Sequence, residues 1–271
     1  MPINFPNKPG LVIYLTAGDP SLAVTRDMAI AAIDAGADVI ELGVPFSDPL
    51  ADGPVIQRAS ERAVARGTRL ADVLETCLDI RKLRPNAGII LFSYLNPVIR
   101  MGMQEFAKAA KAAGADGVLL TDMIVEEAAE YLDVMRANDL APVFLAAPTS
   151  PDDRLRAIAE HSRGFVYAIS RVGITGTQTE LATDAEQLVR RLKQFTQLPI
   201  ALGFGISNAE HVRIVSTFAD AAVVGSAVVS LVERTPPAEA AAAVGNFVRS
   251  LRGNDSAAHH NANEISSEVH A

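Results

Sequence analysis

Glu41 stands inside an apolar run, Asp38-Val-Ile-Glu-Leu-Gly-Val44, that reads as a buried strand. An unpaired carboxylate there is costly, and burial disfavours its ionised form. A second acid, Asp52, follows in the Gly- and Pro-punctuated stretch Pro45-Phe-Ser-Asp-Pro-Leu-Ala-Asp-Gly-Pro54. One carboxyl on a rigid strand end and another on the loop leaving it are placed to work as an acid/base pair. Other chemistries are poorly supplied. None of the lysines, Lys8, Lys82, Lys108, Lys111 and Lys193, falls at the C-terminal end of a predicted strand, so an imine-forming aldolase lacks its nucleophile. His161 and His211 fall on helical patterns, and His259, His260 and His270 on the last segment, so no histidine-rich metal site is expected. Cys77 lies in a helical pattern and reads as a small buried hydrophobe. What remains is carboxylate chemistry, and carbon–carbon cleavage would then need its electron sink in the substrate.

The elements that must position these acids alternate between short apolar strands and amphipathic helices. Strands are predicted at 11–15, 38–43, 88–94, 117–120, 142–147, 164–169, 199–203 and 221–225, each nearly continuous in apolar character, as in parallel strands buried on both faces. Helical patterns lie between them, among them 22–35, 70–83, 104–113, 125–137, 180–196 and 209–218. Eight such units predict an α/β fold, a (β/α)8 barrel, as a single domain over residues 1–252. The repeat Ala35-Gly-Ala-Asp and Ala113-Gly-Ala-Asp supports this, with Gly36 and Gly114 suited to the left-handed position past a helix end. The interval between the second and third strands is oversized, holding both acids and two helical patterns, 55–65 and 70–83. Barrel enzymes draw their catalytic groups from such loops at strand C-termini. Residues 253–271 are polar and aperiodic, and read as a disordered tail.

Glycine-rich turns follow the last three strands: Gly173-Ile-Thr-Gly176, Gly203-Phe-Gly-Ile-Ser207 and Gly225-Ser226. Barrels commonly bind phosphate after strands seven and eight, at the N-terminus of a short extra helix, which Ser226–Arg234 would supply after strand eight. The Gly203 turn is not a dinucleotide fingerprint, since Asn208 occupies its third glycine position. A net charge of −8 without a basic cluster argues against nucleic acid or anionic membrane as partner. A single cysteine and no long apolar run fit a cytoplasmic protein without a membrane span.

The stretch Glu41-Leu-Gly-Val-Pro-Phe-Ser-Asp-Pro-Leu-Ala-Asp-Gly-Pro54 resembles the signature of the tryptophan synthase α chain family. The resemblance runs from residue 11 to about 251. It includes Tyr14-Leu-Thr-Ala-Gly-Asp-Pro20, Ala147-Pro-Thr-Ser-Pro-Asp-Asp153, Tyr167-Ala-Ile-Ser-Arg-Val-Gly-Ile-Thr-Gly176, the Gly203 turn and Val224-Gly-Ser-Ala227. It implies retro-aldol cleavage of indole-3-glycerol phosphate to indole and glyceraldehyde 3-phosphate. By the resemblance, Glu41 is the acid/base and Asp52 hydrogen-bonds the indole N–H. Tyr167 lines the pocket, and Thr175 meets Asp52 when its loop closes. Gly176, Gly205, Gly225 and Ser226 hold the phosphate. Phe204, Tyr14, Phe92 and Tyr94 are candidate walls for the indole, although aromatics at strand ends equally serve packing.

The resemblance also implies an α2β2 assembly with a β chain that carries pyridoxal phosphate, no cofactor in this chain, and partner contact near Asp48 and Pro49. Two alternatives stay open at this level. One is a regulatory α partner with weak lyase activity, and the other a free-standing lyase. A third is another phosphate-binding barrel, such as an isomerase. Three features depart from the family pattern. Only about ten residues precede strand one where a barrel-closing helix is usual, which would weaken closure. Asp122-Met-Ile-Val-Glu-Glu127 replaces Asp-Leu-Pro-Pro-Glu-Glu, and Ala222 stands where Gly is common.

Overall fold

The computed structural model describes residue 3 and residues 5–169, 178–203 and 205–253, the side chains of 178–183 excepted. Strands β1 (Gly10–Thr16), β2 (Val39–Gly43), β3 (Gly88–Ser93), β4 (Gly117–Leu120), β5 (Ala141–Val143), β6 (Leu145–Ala146), β7 (Val166–Ile169), β8 (Ile200–Gly203) and β9 (Ala221–Val224) form one parallel sheet. Its order is β5-β4-β3-β2-β1-β9-β8-β7-β6. The two ends of that order are consecutive in the chain. β5 pairs with β4, β6 pairs with β7, and only Phe144 separates them. They are two halves of the predicted fifth strand, so the sheet closes on itself as a barrel. Pro142 has no N–H to donate, but its carbonyl accepts from Arg163 N at 2.8 Å, and Phe144 O accepts from Tyr167 N at 3.2 Å.

Alternation along the strands sorts side chains into two layers. Val12, Val39, Ile90, Leu119, Val143, Phe165, Ala201, Ala221 and Val223 fill the interior as one cluster. Leu11, Ile13, Leu15, Ile40, Leu42, Ile89 and Leu91 point outward into the larger cluster shared with the helices. The floor is filled by Ile3, 5% exposed, and by Phe5, whose ring meets Phe165 edge-on at 5.8 Å. The short stretch before β1 therefore plugs the barrel, and the weakened closure expected from its length is not seen.

Outside the sheet lie α1 (Leu22–Asp34), α2 (Pro54–Ala65), α3 (Leu70–Leu83), α4 (Leu95–Met101), α5 (Met103–Ala112), α6 (Ala129–Ala137), α7 (Asp152–His161), α8 (Gln178–Leu192), α9 (Ala209–Val215), α10 (Ser226–Arg234) and α11 (Ala240–Leu251). Ser21 caps α1 by accepting from Val24 N. Gly36 and Gly114 end α1 and α5 with φ of 109° and 82°, as the repeat predicted. The single helix expected over 125–137 is instead a 3-10 turn, Val125–Glu127, followed by α6. Helix α4, absent from the reading by periodicity, starts directly after β3 and is only two turns long. Cys77 is buried in α3, and burial pushes its thiol up to about 12.

Candidate active site

Glu41 takes the inward parity of β2, between Val39, an interior residue, and Gly43. It is 1% exposed, and neither carboxylate oxygen has a hydrogen-bond partner among the described residues. Burial alone raises its pKa to about 8, so it is a neutral acid at pH 7. It lies at the mouth side of the interior, level with Tyr14 in the β1–β2 register. The phenols of Tyr14 and Tyr167 are both pushed above their ordinary range, by burial first, and negative charge on Glu41 and on Asp52 adds to each shift. Thr16 Oγ1, at 3.5 Å, donates to Tyr14 Oη and opposes the shift there.

Two glycines make room for these rings. A Cβ on Gly43 would fall 2.3 Å from Tyr14 Oη, and one on Gly203 would fall 2.4 Å from Tyr167 Oη. Tyr14 also meets Phe92 edge-on, with centroids 5.1 Å apart. Tyr14, Phe92 and Tyr167 thus stand together at the inner mouth, around the buried acid.

Asp52 is half-buried on the β2–α2 loop, and burial raises its pKa to about 6 against the lowering effect of Tyr94. Tyr94 Oη donates to Asp52 Oδ2 at 3.1 Å and accepts from Ala51 N at 2.9 Å. Gln57, in the first turn of α2, donates to the carbonyls of Asp52 and Pro49. The predicted indole wall at Tyr94 is therefore also a tether for the acid's loop. Sequence reading missed Thr16, Phe46 and Gln57 in this setting. Phe46, inside the signature stretch, packs its ring 5.2 Å from that of Tyr94. Nothing in the sequence pointed to Gln57.

After β8 and β9, Gly205 is exposed with φ 72°, and Ser226, also exposed, opens α10 behind Gly225. Gly225 adjoins Tyr14 and Ile56, no closer than 3.6 Å from the site of a Cβ. A helix N-terminus beside open backbone suits an anion. Arg58 and Arg62 of α2 both pair with Glu233 of α10 at 2.8 Å, and Arg62 also pairs with the buried Asp19 at 2.6 Å. These ion pairs hold the helix that follows Asp52 against the helix that starts at Ser226. Thr175, Gly176 and Phe204 lie outside the described residues.

Among the described residues, no group of three or more His, Cys, Asp and Glu side chains could hold a metal ion, and no helix is long and apolar enough to cross a membrane. A cavity of about 490 Å³ opens at the opposite end of the barrel, lined by residues such as Asp116, Arg136, Pro142 and His161. It is remote from both acids.

The tryptophan synthase alpha chain model matches residues 3–257. A tryptophan synthase alpha chain from Cupriavidus metallidurans is 48% identical over 248 residues, covering 90% of this chain and 92% of that one. One from Solibacter usitatus is 48% identical over 249 residues, covering 91% and 92%. Among solved structures, the tryptophan synthase α2β2 complex of Pyrococcus furiosus matches with TM-score 0.85 at 39% identity, covering 91% of this chain and 98% of the matched chain. The tryptophan synthase subunit alpha of Legionella pneumophila matches with TM-score 0.82 at 37% identity, covering 91% and 92%. By the family model over residues 3–257 and by relatives at 48% identity over nine-tenths of its length, this chain belongs to the tryptophan synthase alpha chain family.

Proposed function

We propose that this chain is the α subunit of a tryptophan synthase and cleaves indole-3-glycerol phosphate into indole and glyceraldehyde 3-phosphate. The observation that carries the reading is Glu41: a carboxylic acid inside the barrel, neutral at pH 7, with both oxygens unclaimed among the described residues. In the proposed reaction a proton is delivered to ring C3 and the indole becomes a cationic electron sink. The ionised Asp52 accepts the indole N–H bond and stabilises that charge. Loss of the proton from the side-chain hydroxyl then lets its oxygen form the aldehyde. The C–C bond breaks, and its electrons return to the ring. One proton enters and one leaves, so Glu41 can supply the first and take the second without an outside reagent. Each acid/base role of this kind typically contributes about 10²–10⁴-fold in rate. A group near 8 and a group near 6 give the opposite protonation states that the two roles need between those values.

Tyr14, Phe92 and Tyr167 would wall the indole, with Phe204 and Tyr94. Gly205, Gly225 and Ser226, with Gly176, would hold the phosphate on backbone amides and the α10 terminus. Closure of the loop bearing Thr175 over Asp52 belongs to the same reading. An α2β2 assembly with a β chain that carries pyridoxal phosphate follows, in the cytoplasm. The surface offered to it holds Asp48 and Pro49 beside three exposed apolar side chains, Leu50 at 92%, Ile99 at 60% and Ile124 at 47%, which follow the adjacent strands β2, β3 and β4.

The test measures indole release from indole-3-glycerol phosphate by the chain alone and with a β chain, for the native sequence and for Glu41→Gln. Release by the native chain and none by the variant, with phosphate affinity kept, is expected. Retention of more than about a tenth of turnover would remove Glu41 from its role. Absence of cleavage in every sample would leave a regulatory partner.

A further inference from the structure

We infer that Tyr94 is a positioning residue that acts through its hydroxyl, aiming the Asp52 carboxylate and holding it ionised, beyond any part its ring plays in walling the pocket. The inference rests on the proposed lyase reaction for its kinetic meaning, but the geometry is independent of it. Tyr94 follows the last residue of β3 and is the cap residue of α4, so its backbone is held on both sides. The side chain is 4% exposed. Its hydroxyl has one proton to give and lone pairs to receive. A lone pair is taken by the Ala51 N–H at 2.9 Å, and Asp52 Oδ2 sits 3.1 Å away as acceptor for the proton. Two consecutive residues of the catalytic loop are thus read by one oxygen. Phe46 packs beside the ring from the start of the same loop and makes no bond to the hydroxyl.

The polarity of this arrangement favours one charge state. A phenol that donates stabilises the carboxylate and not the carboxylic acid. That matters for Asp52, whose surroundings among the described residues work the other way. Burial raises it, and the Tyr94 bond is the opposing influence. Among the described residues, the titratable groups that face this corner are Tyr14 from β1, Glu41 from β2 and Tyr167 from β7, none of them a cation. The Thr121 hydroxyl, beyond β4, approaches the Tyr94 oxygen and is uncharged. Among the described residues, Tyr94 is therefore the group that favours the charge Asp52 presents to the substrate.

The experiment compares the native chain, Tyr94→Phe and Phe46→Leu, each assembled with the β chain. It reads indole release against pH, and the Asp52 carboxyl titration by carbon NMR, assigned by its loss in Asp52→Asn. Tyr94→Phe keeps the ring and removes only the donor. It should move the acid limb of kcat and the NMR midpoint upward together by about one pH unit, the scale of a hydrogen bond to a charged group, and so lower kcat at pH 7 by about twofold as Asp52 goes from about 6 to about 7. KM should change less than about threefold. Phe46→Leu removes packing without the bond and should leave the acid limb in place. An unchanged Asp52 midpoint in Tyr94→Phe would overturn the inference, whether or not the chain cleaves the substrate. An equal shift in Phe46→Leu would also overturn it, by assigning the effect to a loosened loop. A native chain that cleaves nothing while the midpoint still moves would overturn the lyase reading alone.

Discussion

A carboxylic acid with both oxygens unpaired, sunk into a barrel, carries a pH signature that its fold cannot hide. The pKa of Glu41 is raised from the ordinary carboxylate value to about 8 in the native state. Between those values the folded chain holds a proton that the unfolded chain has released. Stability must therefore fall as pH rises through this window, by up to about 1.4 kcal/mol per unit, and level off above about 8. Glu41→Gln removes the titration. We expect urea midpoints for native and variant chains to be similar near pH 4 and to diverge in the variant's favour toward pH 8. A gap that stays constant across pH would mean that the carboxyl is solvated. The same acid is thus a liability for the fold and an asset for proton transfer, a trade often met at functional sites.

At the scale of elements, the site depends on what β2 and β8 lack. Gly43 and Gly203 end these strands and leave the volume that Tyr14 and Tyr167 occupy. Gly43→Ala would force the Tyr14 phenol aside, because a Cβ at 2.3 Å cannot coexist with it. Overpacking of this kind costs about 1–3 kcal/mol. Thermal melts should show that loss, with reduced turnover, for Gly43→Ala. Gly225→Ala, whose Cβ meets nothing nearer than 3.6 Å, should lose little stability and instead raise KM through the phosphate. Equal destabilisation of the two variants would contradict the assignment of Gly43 as space for the ring. The periodicity that predicted most helices could not see α4, because two turns placed directly after a strand carry too little repeat to register.

For the whole molecule, one side chain just past the last helix ties the barrel to its start. Arg252, just past α11, bonds the carbonyls of Pro9 and Gly36 and the Asp38 carboxylate, with 12% of the arginine side chain and 1% of the aspartate side chain exposed. Asp38 in turn accepts from Leu11 N and Asn7 Nδ2. Removing one partner of a buried pair strands the other, at about 3–5 kcal/mol. Arg252→Leu should lower unfolding stability by about 3 kcal/mol while leaving kcat of the folded fraction unchanged, since it lies at the floor and the acids at the mouth. Loss of kcat without loss of stability would connect floor and mouth in a way the barrel does not suggest.

The sequence by itself determined the barrel, and it marked the two acids and the glycine turns after the last strands as candidates. Continuous apolar strands and helix-ending glycines are local patterns, and a glutamate amid Val39, Ile40 and Leu42 is anomalous wherever the strand is placed. Tertiary structure alone decided three things. It showed that the fifth strand is split at Phe144 and closes the sheet, because pairing of β5 with β4 and of β6 with β7 involves partners far apart in sequence. It filled the floor with Ile3 and Phe5, whose burial no local pattern announces. It also gave Tyr94 to Asp52, 42 residues away, since a hydrogen bond is set by where two backbones meet in space and leaves no mark on the residues between them.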